Sequence, residues 1–225
     1  AAPSPGEIAA AAPAKDWIAI PASDLLVMDL TPDAKGKPRR VVIQLMPAPF
    51  SQGWIGNIRK LAAAHWWDGT SVNRVQDNYV TQWGDALSDD KAKAKPLPPG
   101  LAAVPESEYE VDPGATRSAL RGDYGITVDV GASAGVRRDP YAPVSAAWRG
   151  WPIGFRINDL DVGRVRAWPV HCYGMVGVGR NLSPDTGSGA ELYTVIGHAP
   201  RHLDRNIALV GRVIDGMQYL SSLPR

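Results

Sequence analysis

Residues 66–85 read WWDGTSVNRVQDNYVTQWGD, and the interpretation of the whole chain starts from this stretch. Residues 71–75 and 79–83 are rich in β-branched and aromatic residues and predict two short strands. The Asp-Gly pair before them marks the end of a preceding helix. Arg74 stands between Val72 and Val75, so the first predicted strand carries it.

The sequence before this stretch predicts a hairpin and a helix. Residues 25–30 and 40–45 are apolar and are separated by a turn rich in Pro, Asp and Gly, a pattern typical of an antiparallel hairpin. Two prolines break the second strand, and Ser51 can then cap a helix. The apolar side of that helix recurs at helical spacing. It comprises Trp54, Ile55, Ile58, Leu61 and Ala62.

The sequence after this stretch also favours strands. Residues 86–112 are polar and Pro-rich and predict an exposed loop, whereas residues 114–168 show no clean periodicity. Three further strands are predicted at residues 173–178, 192–196 and 207–213. Strands therefore outnumber helices, which indicates an all-β barrel or sandwich with one or two helices.

Composition excludes several classes of protein. The 225-residue chain carries 24 Lys and Arg against 23 Asp and Glu, a balance that argues against nucleic acid as a partner. No apolar run approaches the length that membrane insertion requires. The single Cys172 excludes an intramolecular disulfide and a multi-Cys zinc site. His198 and His202 are four residues apart, but Pro200 lies between them, so we expect no metal site.

The first 16 residues predict a flexible leader that precedes a single domain at residues 17–225. The leader is mostly Ala and Pro and has almost no large apolar side chain with which to offset its ordering entropy. A small-residue cleavage site can leave such an Ala-rich end, so we expect a periplasmic or otherwise exported protein. A cytoplasmic location is the alternative.

Three blocks, in the same order along the chain, resemble the cyclophilin peptidyl-prolyl isomerases. Residues 66–85 are similar to that family's aromatic-aromatic-Asp-Gly, His-Arg-Val and Phe-Met-x-Gln-Gly-Gly-Asp pattern. GMV at residues 174–176 and PDTGSGAELY at 184–193 are similar to Gly-Met-Val and Pro-Asn-Thr-Asn-Gly-Ser-Gln-Phe-Phe. LD at residues 203–204 and VGRVIDGM at 210–217 are similar to Leu-Asp-Gly-Lys and Phe-Gly-Lys-Val-x-x-Gly-Met.

The resemblance implies a mainly β fold: a cyclophilin-like closed antiparallel β-barrel of eight strands, with one or two helices. It leaves residues 86–171 as a long loop insertion. In the family a final helix leads into a last strand that closes the barrel, but only eight residues follow Met217 here. We therefore expect a partial chain, with either an unfilled sheet edge or a strand supplied from elsewhere, because an open barrel leaves unpaired backbone groups.

The resemblance also assigns the site. Arg74 matches the catalytic arginine, and Gln82 matches the glutamine that braces it. The expected substrate-binding residues are Tyr79, Val80, Trp83, Glu191, Tyr193, His202, Leu203 and Ile207. The chain departs from the family at Asn73, which replaces a His, at Glu191, which replaces a Gln, and at Ile207, which replaces another His.

The implied chemistry needs neither a metal nor a cofactor. Prolyl isomerisation must overcome the loss of amide resonance, a barrier of about 18–20 kcal/mol. A guanidinium that stays charged can donate to the prolyl nitrogen or to the carbonyl oxygen. The resemblance thus predicts a peptidyl-prolyl cis–trans isomerase acting on Xaa-Pro bonds of unfolded or exported polypeptides. The alternative is a non-catalytic module on the same fold, either a proline-peptide-binding protein or a chaperone.

Overall fold

The computed structural model describes residues 2–112, 139–157 and 165–224. These ranges contain ten strands and three short helices. The strands are β1 Leu25–Leu30, β2 Arg39–Leu45, β3 Ser71–Gln76, β4 Val80–Gly84, β5 Val144–Trp148, β6 Trp151–Ile157, β7 Val165–Pro169, β8 Met175–Val178, β9 Leu192–Val195 and β10 Leu209–Asp215. The helices are α1 Pro5–Ala11, α2 Gln52–Ala63 and α3 Gln218–Ser221.

Seven strands form one antiparallel sheet in the order β1-β2-β10-β8-β9-β4-β3. The two outermost strands, β1 and β3, line the same cleft, which has a volume of 610 Å³. The sheet is therefore strongly curled. Within the described ranges no further strand pairs with the outer edge of β1 or of β3. The predicted antiparallel β architecture is confirmed, as a curled half-barrel of seven strands in the part of the chain that the structure describes.

The predicted hairpin is confirmed as β1 and β2, with Leu25 opposite Gln44. Its turn is organised by Asp33, whose carboxylate accepts the backbone N–H groups of Lys35 and Lys37. An Asp side chain that satisfies the backbone two residues on is a common way to fix a tight turn. The turn therefore lies in the Pro-, Asp- and Gly-rich segment in which the sequence predicts it.

The predicted helix is confirmed as α2, whose apolar side packs in the hydrophobic core. Four residues of the predicted apolar side are buried in the core: Trp54, Ile55, Ile58 and Leu61. Ser51 differs from its prediction. It stands at the N-cap position in a left-handed conformation, and its hydroxyl donates to the carbonyl of Leu209 at 2.7 Å instead of capping the helix.

The insertion is not simply a long loop, because it contains the three-stranded antiparallel sheet β5-β6-β7. Large apolar side chains of this small sheet join the main core. Gly154 on β6 lies under the indole of Trp168, where a Cβ would approach ring atoms to 2.7 Å. Residues 113–138 and 158–164, which the sequence left unassigned, lie outside the described residues.

Residues 86–112 were predicted to be an exposed loop, and the structure corrects this in part. Most of the segment is exposed and irregular, but Val104 and Tyr109 are buried in the main core. The Tyr109 ring stacks on Trp54 of α2, with 5.4 Å between ring centroids and 11° between ring planes. The loop therefore covers one side of the helix.

The leader contains α1, in which Ser4 and Glu7 form a capping box. No residue of this helix is buried. The helix is thus held by its own cap rather than by packing on the sheet. Within the described ranges, no helix is both long and apolar enough to cross a membrane.

Candidate functional site

Four residues form one row across the outer surface of the large sheet. The register places Arg74 of β3 opposite Gln82 of β4, Gln82 opposite Tyr193 of β9, and Tyr193 opposite Gly177 of β8. Residues that face each other across antiparallel strands present their side chains on the same face. With strands about 4.8 Å apart, the Arg74 and Tyr193 backbones are roughly 10 Å from each other. The row therefore spans a distance that suits a short peptide segment.

A packed apolar cluster, the predicted proline pocket, lies at the Tyr193 end of this row. Val80, Tyr193 and Val195 are buried together, and Tyr79 and Ile207 pack against them half-buried. Four of the five were predicted to line a proline pocket, and the structure brings these four together. Their side chains are aromatic or branched aliphatic, so the pocket suits a small apolar ring.

Arg74 lies at the opposite, exposed end of the row. A β-bulge between Val72 and Arg74 interrupts the regular pairing of β3 with β4. The guanidinium donates to the side-chain oxygen of Gln76 and lies 5.9 Å from the centre of the Tyr79 ring. These contacts hold a permanent positive charge beside the pocket while leaving Arg74 open to solvent.

Tyr79 and His202 form an aromatic wall beside the pocket. Their rings are nearly parallel, at 7° with 6.1 Å between centroids, and the Tyr79 hydroxyl is 3.5 Å from His202 Nε2. His202 belongs to the 3-10 turn Arg201–Leu203. The carbonyl of Leu203 accepts the N–H groups of Asn206 and Ile207, which places Ile207 against the pocket.

Glu191 lies near the middle of the row and carries an acidic group. Its Oε2 accepts a hydrogen bond from Asn73 Nδ2 at 3.3 Å. Burial raises the pKa of the Glu191 carboxyl, and hydrogen bonds from the side chains of Asn73 and Gln82 oppose the rise. The carboxylate occupies the space that a side chain at Gly84 would fill, so a glycine is required there. The side chain of Gln82 is thus directed to Glu191, whereas Arg74 bonds Gln76.

Comparisons with known proteins identify the family of the chain. The family model described as cyclophilin type peptidyl-prolyl cis-trans isomerase/CLD matches residues 40–225. The chain belongs to the cyclophilin family. Among solved structures, cyclophilin AquaCyp293 from Hirschia baltica superposes with a TM-score of 0.64, covering 90% of this chain and 68% of that chain at 24% sequence identity. No curated protein sequence matches the chain.

Trp83 was predicted to line the substrate groove of this cyclophilin, and the structure corrects that prediction. Successive residues of a strand point to opposite faces, so Trp83 faces away from Gln82. The indole is only 5% exposed and packs in the main core. Its accessible part lines the cleft between β1 and β3, together with Trp67 and Val72. Period-two alternation from Gln82 would have placed it there from the sequence alone.

Sequence reasoning missed a buried polar group below the pocket of the cyclophilin. The Tyr193 hydroxyl lies 2.8 Å from His171 Nε2, and His171 Nδ1 lies 2.9 Å from Asp204 Oδ1. His171 and Asp204 are 33 residues apart, and no motif spacing connects them. The one available signal was the tyrosine at position 193, where the family has a phenylalanine.

Within the described ranges no three His, Cys, Asp or Glu side chains form a group that could hold a metal ion. Cys172 is half-buried, and burial raises the pKa of its thiol. The polar groups that the row presents beside the apolar cluster are a guanidinium, amides and a carboxyl group.

Proposed function

We propose that this cyclophilin catalyses the cis–trans isomerisation of Xaa-Pro peptide bonds. Arg74 is the catalytic residue, and Tyr79, Val80, Tyr193 and Ile207 hold the proline ring. The observation that carries the proposal is the row Arg74–Gln82–Tyr193, in which a guanidinium and a buried apolar cluster lie on the same face of one sheet.

The proposed reaction follows from the physics of the amide bond. Twisting the C–N bond removes resonance, so the prolyl nitrogen becomes pyramidal and basic while the carbonyl turns. With the proline ring fixed in the pocket, the guanidinium donates a hydrogen bond to that nitrogen, or to the carbonyl oxygen. Because this bond is stronger in the twisted state than in the planar state, it lowers the barrier. No proton is transferred and no covalent bond is made.

The polar residues of the row provide contacts for the peptide backbone on either side of the proline. Gln82 and Asn73 carry amides beside Arg74, and the Glu191 carboxyl connects them. We assign to Gln82 the role of ordering this part of the groove, in place of a direct brace on Arg74.

The proposed substrates are extended segments of unfolded or exported polypeptides. Arg74 is exposed, and Tyr79, Ile207 and Gln82 are half-buried, so the groove accepts a bond that is itself accessible. An Xaa-Pro bond inside a packed core does not meet this requirement. Export to the periplasm remains a prediction, to be tested by fractionating cells that express the natural protein.

A non-catalytic peptide-binding module is the second candidate, and one observation favours it. Arg74 already donates to Gln76, and a guanidinium committed to the protein is less available to the substrate. A protease-coupled assay on a short Ala-Pro peptide separates the two candidates. We expect the rate of isomerisation to rise in proportion to protein concentration. Saturable binding of the peptide without any increase in rate would favour the binding module.

A further inference from the structure

Tyr193 forms the floor of the proposed proline pocket and continues below it. Its ring packs with Val80 and Val195, and its phenol end passes over β8 at Gly177. A Cβ at Gly177 would overlap the phenol carbon and oxygen. A glycine opposite Tyr193 therefore leaves room for the hydroxyl to pass over β8 and reach the buried His171.

The hydrogen bonds of His171 define its tautomer. The ring is fully buried, with Nδ1 2.9 Å from Asp204 Oδ1 and Nε2 2.8 Å from the Tyr193 hydroxyl. The Asp204 carboxylate also accepts the main-chain N–H of His171, so it acts as an acceptor and Nδ1 carries the proton. Burial lowers the pKa of His171, which keeps the ring neutral. The unprotonated Nε2 thus accepts a hydrogen bond from the Tyr193 hydroxyl.

Asp204 is itself anchored. Its Oδ2 accepts a hydrogen bond from Arg201 Nε at 2.6 Å, and the same guanidinium pairs with Asp139 Oδ2, also at 2.6 Å. Asp139 in turn accepts the hydroxyl of Ser145 on β5 at 2.7 Å. A series of polar side chains therefore connects Tyr193 to the small sheet of the insertion. Each contact in this series is a direct hydrogen bond or ion pair.

We infer that His171 is a positioning residue of the isomerase site: it accepts the hydrogen bond of Tyr193 and fixes that ring as the floor of the proline pocket. This inference rests on the proposed function. Two consequences follow. The single hydroxyl proton of Tyr193 points away from the substrate, so the pocket presents an apolar ring face. The ring also cannot turn toward the groove without leaving a buried nitrogen unpaired, which is unfavourable.

Two variants of His171 separate its two hydrogen bonds. In His171→Gln the amide oxygen can take the place of Nε2 and still accept from Tyr193. In His171→Asn the amide nitrogen can take the place of Nδ1 and still donate to Asp204, but nothing accepts from Tyr193. Exchange NMR on a short Ala-Pro peptide at several concentrations gives both KM and kcat. We expect His171→Asn to raise KM about fivefold, the equivalent of one hydrogen bond, with kcat nearly unchanged and His171→Gln close to the parent.

A double-mutant cycle with Tyr193→Phe tests the connection directly. Tyr193→Phe removes the donor, so it should raise KM about as much as His171→Asn does. In the Tyr193→Phe background, His171→Asn should raise KM no further, because the shared hydrogen bond is already absent. Independent, additive effects would contradict the inference.

Thr194→Val is the matched control for stability. Thr194 is the neighbour of Tyr193 on β9, is fully buried on the other face, and donates to the Met175 carbonyl at 3.3 Å. This variant should lower the melting temperature and leave KM unchanged. If His171→Asn behaves in the same way, the role of His171 is structural and the inference is overturned. A parent protein that neither binds nor isomerises the peptide would overturn the proposed function, and this inference with it.

Discussion

The exposed end of the groove, at Arg74, and its buried end, at Tyr193, differ in how their polar side chains are held. At the exposed end, Arg74 is open to solvent and its hydrogen bond goes to a neighbouring side chain of its own strand. At the buried end, Tyr193, His171 and Asp204 are linked by hydrogen bonds and have almost no contact with water. Exposed charges contribute little to the free energy of unfolding, whereas a broken buried pair has a large effect. A substitution at the exposed end should therefore lower activity with little change in the free energy of unfolding. A substitution that breaks the buried pair should lower the free energy of unfolding.

The largest effect is expected at the buried end, from Asp204→Ala. The change leaves His171 Nδ1 and the Arg201 guanidinium without their shared acceptor, and removing one partner of a buried pair lowers the free energy of unfolding by about 3 kcal/mol. Urea unfolding followed by fluorescence measures it.

Asp29→Ala is the matched control for this change. Asp29 pairs with Arg40 at 2.8 Å, but both side chains are 62% exposed. The free energy of unfolding should then change far less than for Asp204→Ala, as for other surface ion pairs. Equal losses from Asp204→Ala and Asp29→Ala would contradict the comparison between the two ends.

The next largest effect is expected at the exposed end, from Arg74→Ala. We expect kcat/KM for an Ala-Pro peptide to fall at least about tenfold, which corresponds to roughly 1.4 kcal/mol of transition-state stabilisation. The free energy of unfolding should stay within about 0.5 kcal/mol of the parent. Arg59→Ala, which removes an exposed arginine of α2 paired with Asp24, should change neither quantity appreciably. A folded Arg74→Ala variant with the parent's activity would favour the non-catalytic module.

The smallest effect is expected between the two ends, from Glu191→Gln. Because burial raises the pKa of this carboxyl above 4.5, the folded state binds more protons than the unfolded state between the two pKa values. The free energy of unfolding contributed by Glu191 therefore falls as pH rises through that window and then levels off. Glu191→Gln removes this loss, and at pH 7 it should stabilise the protein by no more than about 1 kcal/mol.

Urea unfolding at pH 4 and at pH 7 checks this sign. The advantage of Glu191→Gln over the parent should be greater at pH 7 than at pH 4, where more of the parent's carboxyl is protonated. A variant that is less stable than the parent at pH 7 would show that the ionised carboxylate is required by its amide neighbours.

Most of the large sheet could be predicted from local pattern. The hairpin β1–β2, helix α2 and strands β3 and β4 each have their own turn residues and apolar period, and all four are confirmed. The small sheet had no such signal. Strand β6 includes Pro152 and Gly154, and Gly154 is explained by Trp168 on the neighbouring strand, a contact that no periodicity encodes.

Some residues of the site could likewise be predicted from the sequence, and others could not. The pocket residues could be placed because they lie in motifs whose order along the chain matches a family. The prediction for Trp83 was wrong because adjacent residues of a strand face opposite sides of the sheet, so Trp83 and Gln82 do not share a face. The pairing of His171 with Asp204 depends on a tertiary contact between two loops, and only the fold reveals it.

The topology of the large sheet has a consequence for how fast the molecule folds. Strand β2 pairs with β10, and Gln44 and Arg212, which meet across that pair, are 168 residues apart in the chain. Each doubling of a connecting loop adds only about 0.6 kcal/mol of closure entropy. The insertion between β4 and β8 therefore changes the equilibrium little. Pairings this distant in sequence are nevertheless slow to form, so the junction between β2 and β10 is expected to be among the last parts of the protein to assemble.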